Sequence, residues 1–222
     1  MNLDVNKILN YTYPELVSYI RFSAGLSNPT TGGGLPGIVG GKDNLQLQQN
    51  PEEYAKLLLF FKECKSKAYL ALGVGQGGSF LLDSLFQIDA KICHAVDNCD
   101  YQRNAVGFSD QHISIKNKVE YLKRAKNVED AQYFNYYTND FFNLGRTTTY
   151  DTIFIDADHR YEGAKKDYEN SLKILNPGGV LIFHDIVNTT WGVKDLWEEL
   201  DSSKKIHEFV YSIHCGIGIY KP

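Results

Sequence analysis

The stretch Tyr69–Phe80, YLALGVGQGGSF, constrains this chain more than any other. An apolar run of strand type breaks into Gly73, Gly75, Gly77 and Gly78, and Ser79-Phe80-Leu81-Leu82 then opens a helix. Glycine lets the backbone turn sharply and lets a ligand come close to it. A helix N-terminus offers N–H groups that have no partner inside the helix. Strand, glycine turn and helix start together predict a nucleotide cradle where a strand of an open α/β sheet ends. The plainer reading is an ordinary tight strand-to-helix turn.

The spacing admits two ligand classes. Gly73-x-Gly75-x-x-Gly78 fits the dinucleotide fingerprint. Gly73-x-Gly75-x-Gly77 equally fits the loop of methyltransferases that bind S-adenosylmethionine (SAM). A chain of 222 residues suits one sizeable domain. Its net charge of −4 gives no general pull toward nucleic acid or anionic membrane. No apolar run reaches membrane-spanning length, and the first residues lack the basic-then-apolar order of a signal peptide. Cys64, Cys93, Cys99 and Cys215 form no C-x-x-C pair, so reduced thiols and a cytoplasmic protein are expected.

Pro14–Phe22 reads as a short amphipathic helix with proline in its first turn. Ser27–Asp43 is dense in glycine, with Pro29 and Pro36, and reads as a lid or substrate loop. It is no Walker loop, because Pro36 and Asp43 stand where that motif needs Gly and Ser/Thr. Residues 1–44 thus form an N-terminal helix and glycine-rich loop, ahead of one α/β domain over 45–222. Asn50-Pro51-Glu52-Glu53 starts a helix, with Asn50 as cap and Glu53 at the capping-box position. Tyr54, Leu57, Leu58 and Phe61 are its buried face.

Strands follow at Ala68–Val74 and Lys91–Val96, the second ending at Asp97. The separation from Gly73 to Asp97 suits an acid that accepts both ribose hydroxyls, although a helix-capping Asp97, with Asp100, is the alternative. His94 reads as a packed or edge histidine. Asn117–Lys126 is a helix with Val119, Leu122 and Ala125 inward and its Lys/Arg cluster in solvent. Gln132–Thr138 is the third strand, ending at Asn139-Asp140-Phe141. Asp140 can accept from an adenine amino group and Phe141 can pack on its ring, though turn chemistry explains both equally. Thr152–Ile155 and Val180–Phe183 are continuous apolar strands of central parallel type. Between them lies a helix, Glu162–Leu175, with Ala164, Tyr168, Leu172 and Leu175 inward and Asn176-Pro177-Gly178-Gly179 as its stop. Gly192–Leu200 is the last helix. Glu208–Ser212 and Gly216–Tyr220 are a final antiparallel pair. The expected fold is α/β: a doubly wound, Rossmann-like, mostly parallel seven-stranded sheet with an antiparallel last strand.

Glycine loop, acidic second-strand end, IFIDADHRY, NPGG and VLIFHD, in this order, resemble a class I SAM-dependent O-methyltransferase. The closer resemblance is to the metal-assisted groups, the catechol and caffeoyl-CoA type and the macrocin and cephalosporin-hydroxylase-like type. QQNPEEYAKLL and GVGQGGS look most like the latter, and the resemblance covers residues 45–222. It implies a cofactor loop at Gly73, Gly75 and Gly77, ribose binding at Asp97, a divalent metal (Mg²⁺ or Mn²⁺) on Asp156 and Asp185, and a base at His159. Two departures stand out. Ala71 occupies a position that is usually acidic. His184-Asp185-Ile186 replaces the pair that completes the metal site: either His184 supplies the third ligand, which tilts the site toward Mn²⁺, Fe²⁺ or Zn²⁺, or there is no metal and His159 and His184 act alone.

The residues alone point the same way. Asp156 and Asp185 close adjacent apolar strands, so their side chains emerge at one rim, where the glycine loop also lies. Turn or helix capping is the competing role for these groups. A sulfonium carries an activated methyl, so the protein must align a hydroxyl behind it and remove the proton. Alignment can supply part of the roughly 7–11 kcal/mol available to oriented reactants, and His159 titrates in the right range. The resemblance implies a sugar or glycan hydroxyl as acceptor, with Tyr161 and Thr31–Gly41 as candidate contacts, or a catechol-type small molecule. No nucleic-acid or membrane partner is expected, and the aromatic surface is compatible with a homodimer. A nicotinamide-dependent Rossmann oxidoreductase and a non-catalytic binding module are the rivals.

Overall fold

The computed structural model describes residues 3–24, 42–99 and 111–222. The loop expected over Ser27–Asp43, apart from its last two residues, and the cap expected at Asp100 lie outside the described residues.

The apolar runs form one seven-stranded sheet. Its strands are β1 (Ala68–Leu72), β2 (Ile92–Val96), β3 (Asp130–Phe134), β4 (Tyr150–Ile155), β5 (Leu175–His184), β6 (Lys205–Phe209) and β7 (Ile217–Tyr220). Their order is β3-β2-β1-β4-β5-β7-β6. The first five are parallel, and β7 runs antiparallel to both β5 and β6. The expected α/β fold is therefore present, with both last strands antiparallel to their neighbours.

The helices are α1 (Val5–Leu9), α2 (Tyr13–Tyr19), α3 (Pro51–Glu63), α4 (Gly78–Phe86), α5 (Gln111–Ala125), α6 (Thr138–Phe142), α7 (Tyr161–Ile174) and α8 (Val193–Glu199). A π-helical turn, Ile20–Ala24, continues α2. The sheet is doubly wound because β1 is buried on both faces. Tyr69 and Ala71 face a core shared with α1 to α5, whereas Ala68, Leu70 and Leu72 face a second core with α6, α7 and α8. Residues 3–24 are built into the first core through Leu3, Ile8, Leu16 and Ile20.

Several local expectations shift. The third strand begins at Asp130, not Gln132, because pairing with β2 sets the register from Ile92↔Asp130 to Val96↔Phe134. The residues after Phe134 turn into α6. Likewise β6 lies three residues earlier than Glu208–Ser212, with Lys205 opposite Tyr220. In α7 the buried positions are Ala164, Asp167 and Ser171, while Leu172 is exposed. Ala125 is exposed, and Lys118 is buried where solvent was expected. Asn50 caps α3, accepting from Glu52 N and Glu53 N. Glu53 makes no capping box. Its buried carboxylate instead accepts from the backbone N–H of Tyr211 (2.8 Å), Ser212 (2.9 Å) and Gly216 (2.9 Å).

Candidate active site

β1 ends at Leu72, and the chain enters α4 through Gly73 (φ +78°), Gly75 (φ +52°) and Gly77 (φ +82°). A Cβ on Gly73 would lie 2.1 Å from the Asp156 carbonyl oxygen, and one on Gly78 would lie 2.2 Å from that of Leu45. Both are main-chain atoms that cannot move aside, so only glycine fits. Ser79 sits in the first turn of α4, where its carbonyl accepts from the Tyr54 hydroxyl (3.0 Å).

The loop is held on both edges. Asp97 Oδ2 accepts from Val74 N (2.9 Å) and Gly75 N (3.0 Å), and Oδ1 accepts from Cys99 N (2.7 Å). Asp97 therefore fastens the glycine loop, and burial, opposed by these N–H groups, raises its pKa. From α5, Gln111 Nε2 donates to Gly75 O (2.7 Å), and Ser114 Oγ and Lys118 Nζ donate to Gln76 O (both 2.9 Å). Burial lowers the Lys118 ammonium to about 8. Residues 111, 114 and 118 share one helix face, a signal hidden from a reading that starts this helix at Asn117.

Asp140 lies exposed on α6. Phe141 is buried in the second core against Phe134, with ring centroids 5.2 Å apart. His94 is buried, its ring nitrogens 2.7 Å from the Tyr150 hydroxyl and 3.0 Å from Asp130 Oδ2. The Tyr161 hydroxyl donates to Glu199 Oε2 (2.6 Å).

Four side chains converge at the rim. Asp156 follows β4, its N–H bonded to Leu72 O (2.8 Å) beside Gly73. His159 Nε2 lies 3.6 Å from Asp156 Oδ1 and 3.1 Å from Asp185 Oδ2. His184 Nδ1 lies 3.2 Å from Asp156 Oδ1 and 3.0 Å from Asp185 Oδ2. The sequence had no signal for two further members, which arrive from distant segments. Gln49 Nε2 donates to Asp156 Oδ2 (3.5 Å), and the Trp191 ring lies 4.1 Å from that of His159.

Charge balance dominates here. Burial alone would raise the Asp156 carboxyl, but His184 and His159 outweigh it and hold the group well below the carboxylate range. Burial depresses the His159 imidazole, but Asp156 and Asp185 prevail and push it up to about 9. The same contest, with Asp185 and Asp156 prevailing over burial, lifts His184 well above its ordinary value. One ligand atom each from Asp156, His159 and Asp185 lie within 4.8 Å of one another. His184 Nε2 and Asp185 Oδ1 are buried with no hydrogen-bond partner among the described residues. Orphaned donors and acceptors of this kind, beside two carboxylates, fit a divalent cation.

A family model described as "Methyltransferase domain" matches residues 70–186. An uncharacterized protein of Acanthamoeba polyphaga mimivirus is 27% identical over 130 residues, which is 55% of this chain and 53% of that protein. The chain thus spans about half the length of that curated relative. The fold is similar to an O-methyltransferase from Bacillus cereus solved with SAH, at TM-score 0.57 and 17% identity over 78% of this chain and 81% of that one. It is also similar to the O-methyltransferase TomG from Streptomyces achromogenes, solved with SAM, at TM-score 0.54 and 14% identity over 81% and 83% of the chains. The family match runs through the glycine loop, Asp97, both rim carboxylates and both rim histidines, over more than half of the sequence. This chain belongs to the methyltransferase-domain family.

Proposed function

We propose that the chain is a SAM-dependent O-methyltransferase whose acceptor is a sugar hydroxyl on a glycan or glycosylated small molecule. The observation that carries the reading is the abutment of Gly73 on Asp156, which joins the cofactor loop to the rim cluster. Gly73, Gly75, Gly77, Gly78 and Ser79 bind the cofactor, with Asp97 holding their loop in shape and Asp140 and Phe141 at the adenine end. The relatives solved with SAM or SAH support this cofactor. The sugar acceptor is supported by the sequence resemblance alone. A catechol-type small molecule is the other acceptor. Reduced thiols support a cytoplasmic setting, and no described helix is long and apolar enough to cross a membrane.

In the reaction the acceptor oxygen displaces the sulfonium sulfur at the methyl carbon, and the hydroxyl proton passes to His159 Nε2. Alignment of the hydroxyl with the methyl accounts for most of the acceleration. A positioned base adds about 10²–10⁴-fold. Trp191 against the imidazole helps exclude water. With Asp156 and Asp185 both facing it, His159 holds a proton at neutral pH. A divalent cation held by Asp156, Asp185 and His184 would neutralise those carboxylates, free His159 to accept a proton and acidify a bound hydroxyl.

Calorimetric titration with SAM, with and without Mg²⁺ or Mn²⁺, on wild type and Asp185→Ala tests this. Micromolar SAM binding supports the cofactor assignment, and a metal response lost in Asp185→Ala supports the metal-assisted branch. Absence of SAM binding overturns the proposal and favours a nicotinamide cofactor.

A further inference from the structure

We propose that His184, Asp185 and Cys215 form a mixed nitrogen–oxygen–sulfur site that selects a zinc-class divalent ion over Mg²⁺. In this site Cys215 takes the place given above to Asp156 beside the shared His184 and Asp185; its part in catalysis rests on the methyl-transfer reading above, whereas the donor set does not.

One donor atom from each of the three residues lies within 4.8 Å of the others. His184 and Asp185 are more than nine-tenths buried. His184 Nε2 and Asp185 Oδ1 have no hydrogen-bond partner among the described residues. Burying such groups unpaired is destabilising, and a ligated ion would remove that cost.

The backbone around the set is built rather than loose. Asp185 holds a left-handed conformation (φ +63°), uncommon for a residue with a side chain. Ile186 N donates to Gly216 O (3.3 Å), Val187 N to Cys215 O (3.1 Å) and Asn188 Nδ2 to His214 O (2.7 Å). Gly216 N donates in turn to the buried Glu53. Three of these bonds lock residues 214–216 against residues 185–188 and the fourth ties Gly216 to α3, so Cys215, just ahead of the strand that pairs with β5, is carried to the His184–Asp185 corner.

The donor chemistry decides the ion. Mg²⁺ wants oxygen ligands in near-octahedral geometry. Imidazole and thiolate suit Zn²⁺ and its neighbours in the Irving–Williams order. Zn–N near 2.0–2.1 Å and Zn–S near 2.3 Å put tetrahedral donors roughly 3.3–3.8 Å apart, so donors that already lie within 4.8 Å of one another need to close by at most about 1.5 Å. Three protein donors leave a fourth position open, the arrangement of catalytic rather than structural zinc.

The test uses the whole chain, chelated and then loaded with Co²⁺. A thiolate-to-cobalt charge-transfer band in the near ultraviolet is expected, lost in Cys215→Ser, and Zn²⁺ should displace the cobalt at concentrations at least 100-fold below Mg²⁺. X-ray absorption on the zinc-loaded wild type should show a sulfur scatterer at about 2.3 Å, a readout that does not depend on the variant folding. Cobalt binding without the band, a band undiminished in Cys215→Ser, or equal competition by Mg²⁺ would overturn the site. SAM titration of the same samples separates the two readings. Binding without the band removes only the sulfur site, and the band without SAM binding removes only the methyl-transfer reading.

Discussion

The α-carbon of Gly73 rests against the main chain of Asp156, so the first glycine of the loop and the first carboxylate of the rim cluster cannot move independently. Gly73→Ala puts a methyl group 2.1 Å from the Asp156 carbonyl oxygen in a left-handed conformation. The expected loss is about 2 kcal/mol or more of stability, with SAM affinity falling at least tenfold. Chemical denaturation and calorimetry measure the two effects. Wild-type affinity in the variant would show that the loop and Asp156 are not coupled.

His159→Ala should lower kcat by about 10²–10⁴-fold while leaving the SAM dissociation constant unchanged. Steady-state kinetics with a responsive acceptor, beside binding titration, separates the two. Equal activity in the variant would remove His159 as base.

The same histidine predicts a pH dependence in chelated protein. Its folded pKa of about 9 lies above the ordinary 6.5. Its stabilising contribution is therefore full below about pH 6.5 and lost as pH rises through about 9. Asp185→Asn removes one of the carboxylates responsible, so the imidazole should titrate at lower pH. NMR of the ring protons in both proteins reads the shift directly.

Asp83 shows the same sign from a different cause. It is buried, accepts from the Tyr54 and Tyr69 hydroxyls (2.7 Å each), and burial raises it from 3.8 to about 7 against those bonds. A carboxyl raised in the folded state contributes stability that is full below about pH 4 and lost as pH rises through about 7. Denaturation midpoints should fall across that window in wild type and stay flatter in Asp83→Asn.

Glu53→Ala should destabilise the fold by about 3 kcal/mol or more. Three N–H groups lose a charged acceptor, and such bonds are worth roughly 1.5–3 kcal/mol each. Glu53→Gln, which keeps one acceptor oxygen, should lose less. Urea titration ranks the three proteins, and equal midpoints would deny Glu53 its anchoring role.

The sequence by itself determined whatever depends on local chemistry. Glycine spacing placed the loop because a left-handed φ and close backbone contact are properties of the residue itself. Thr152–Ile155 and Val180–Phe183 read as central strands because burial on both faces demands unbroken apolar runs, and Asn50 read as a cap because capping reaches only three residues. Tertiary structure decided everything that depends on a distant partner. Pairing with β2 placed β3 at Asp130. The fold turned Glu53 from its own helix toward Gly216, 163 positions away, and Gln49 toward Asp156, 107 positions away. It drew Lys118 into the glycine loop and brought Cys215 beside His184. Charge and hydrogen-bond partners act through space, and a linear pattern records only which groups need a partner.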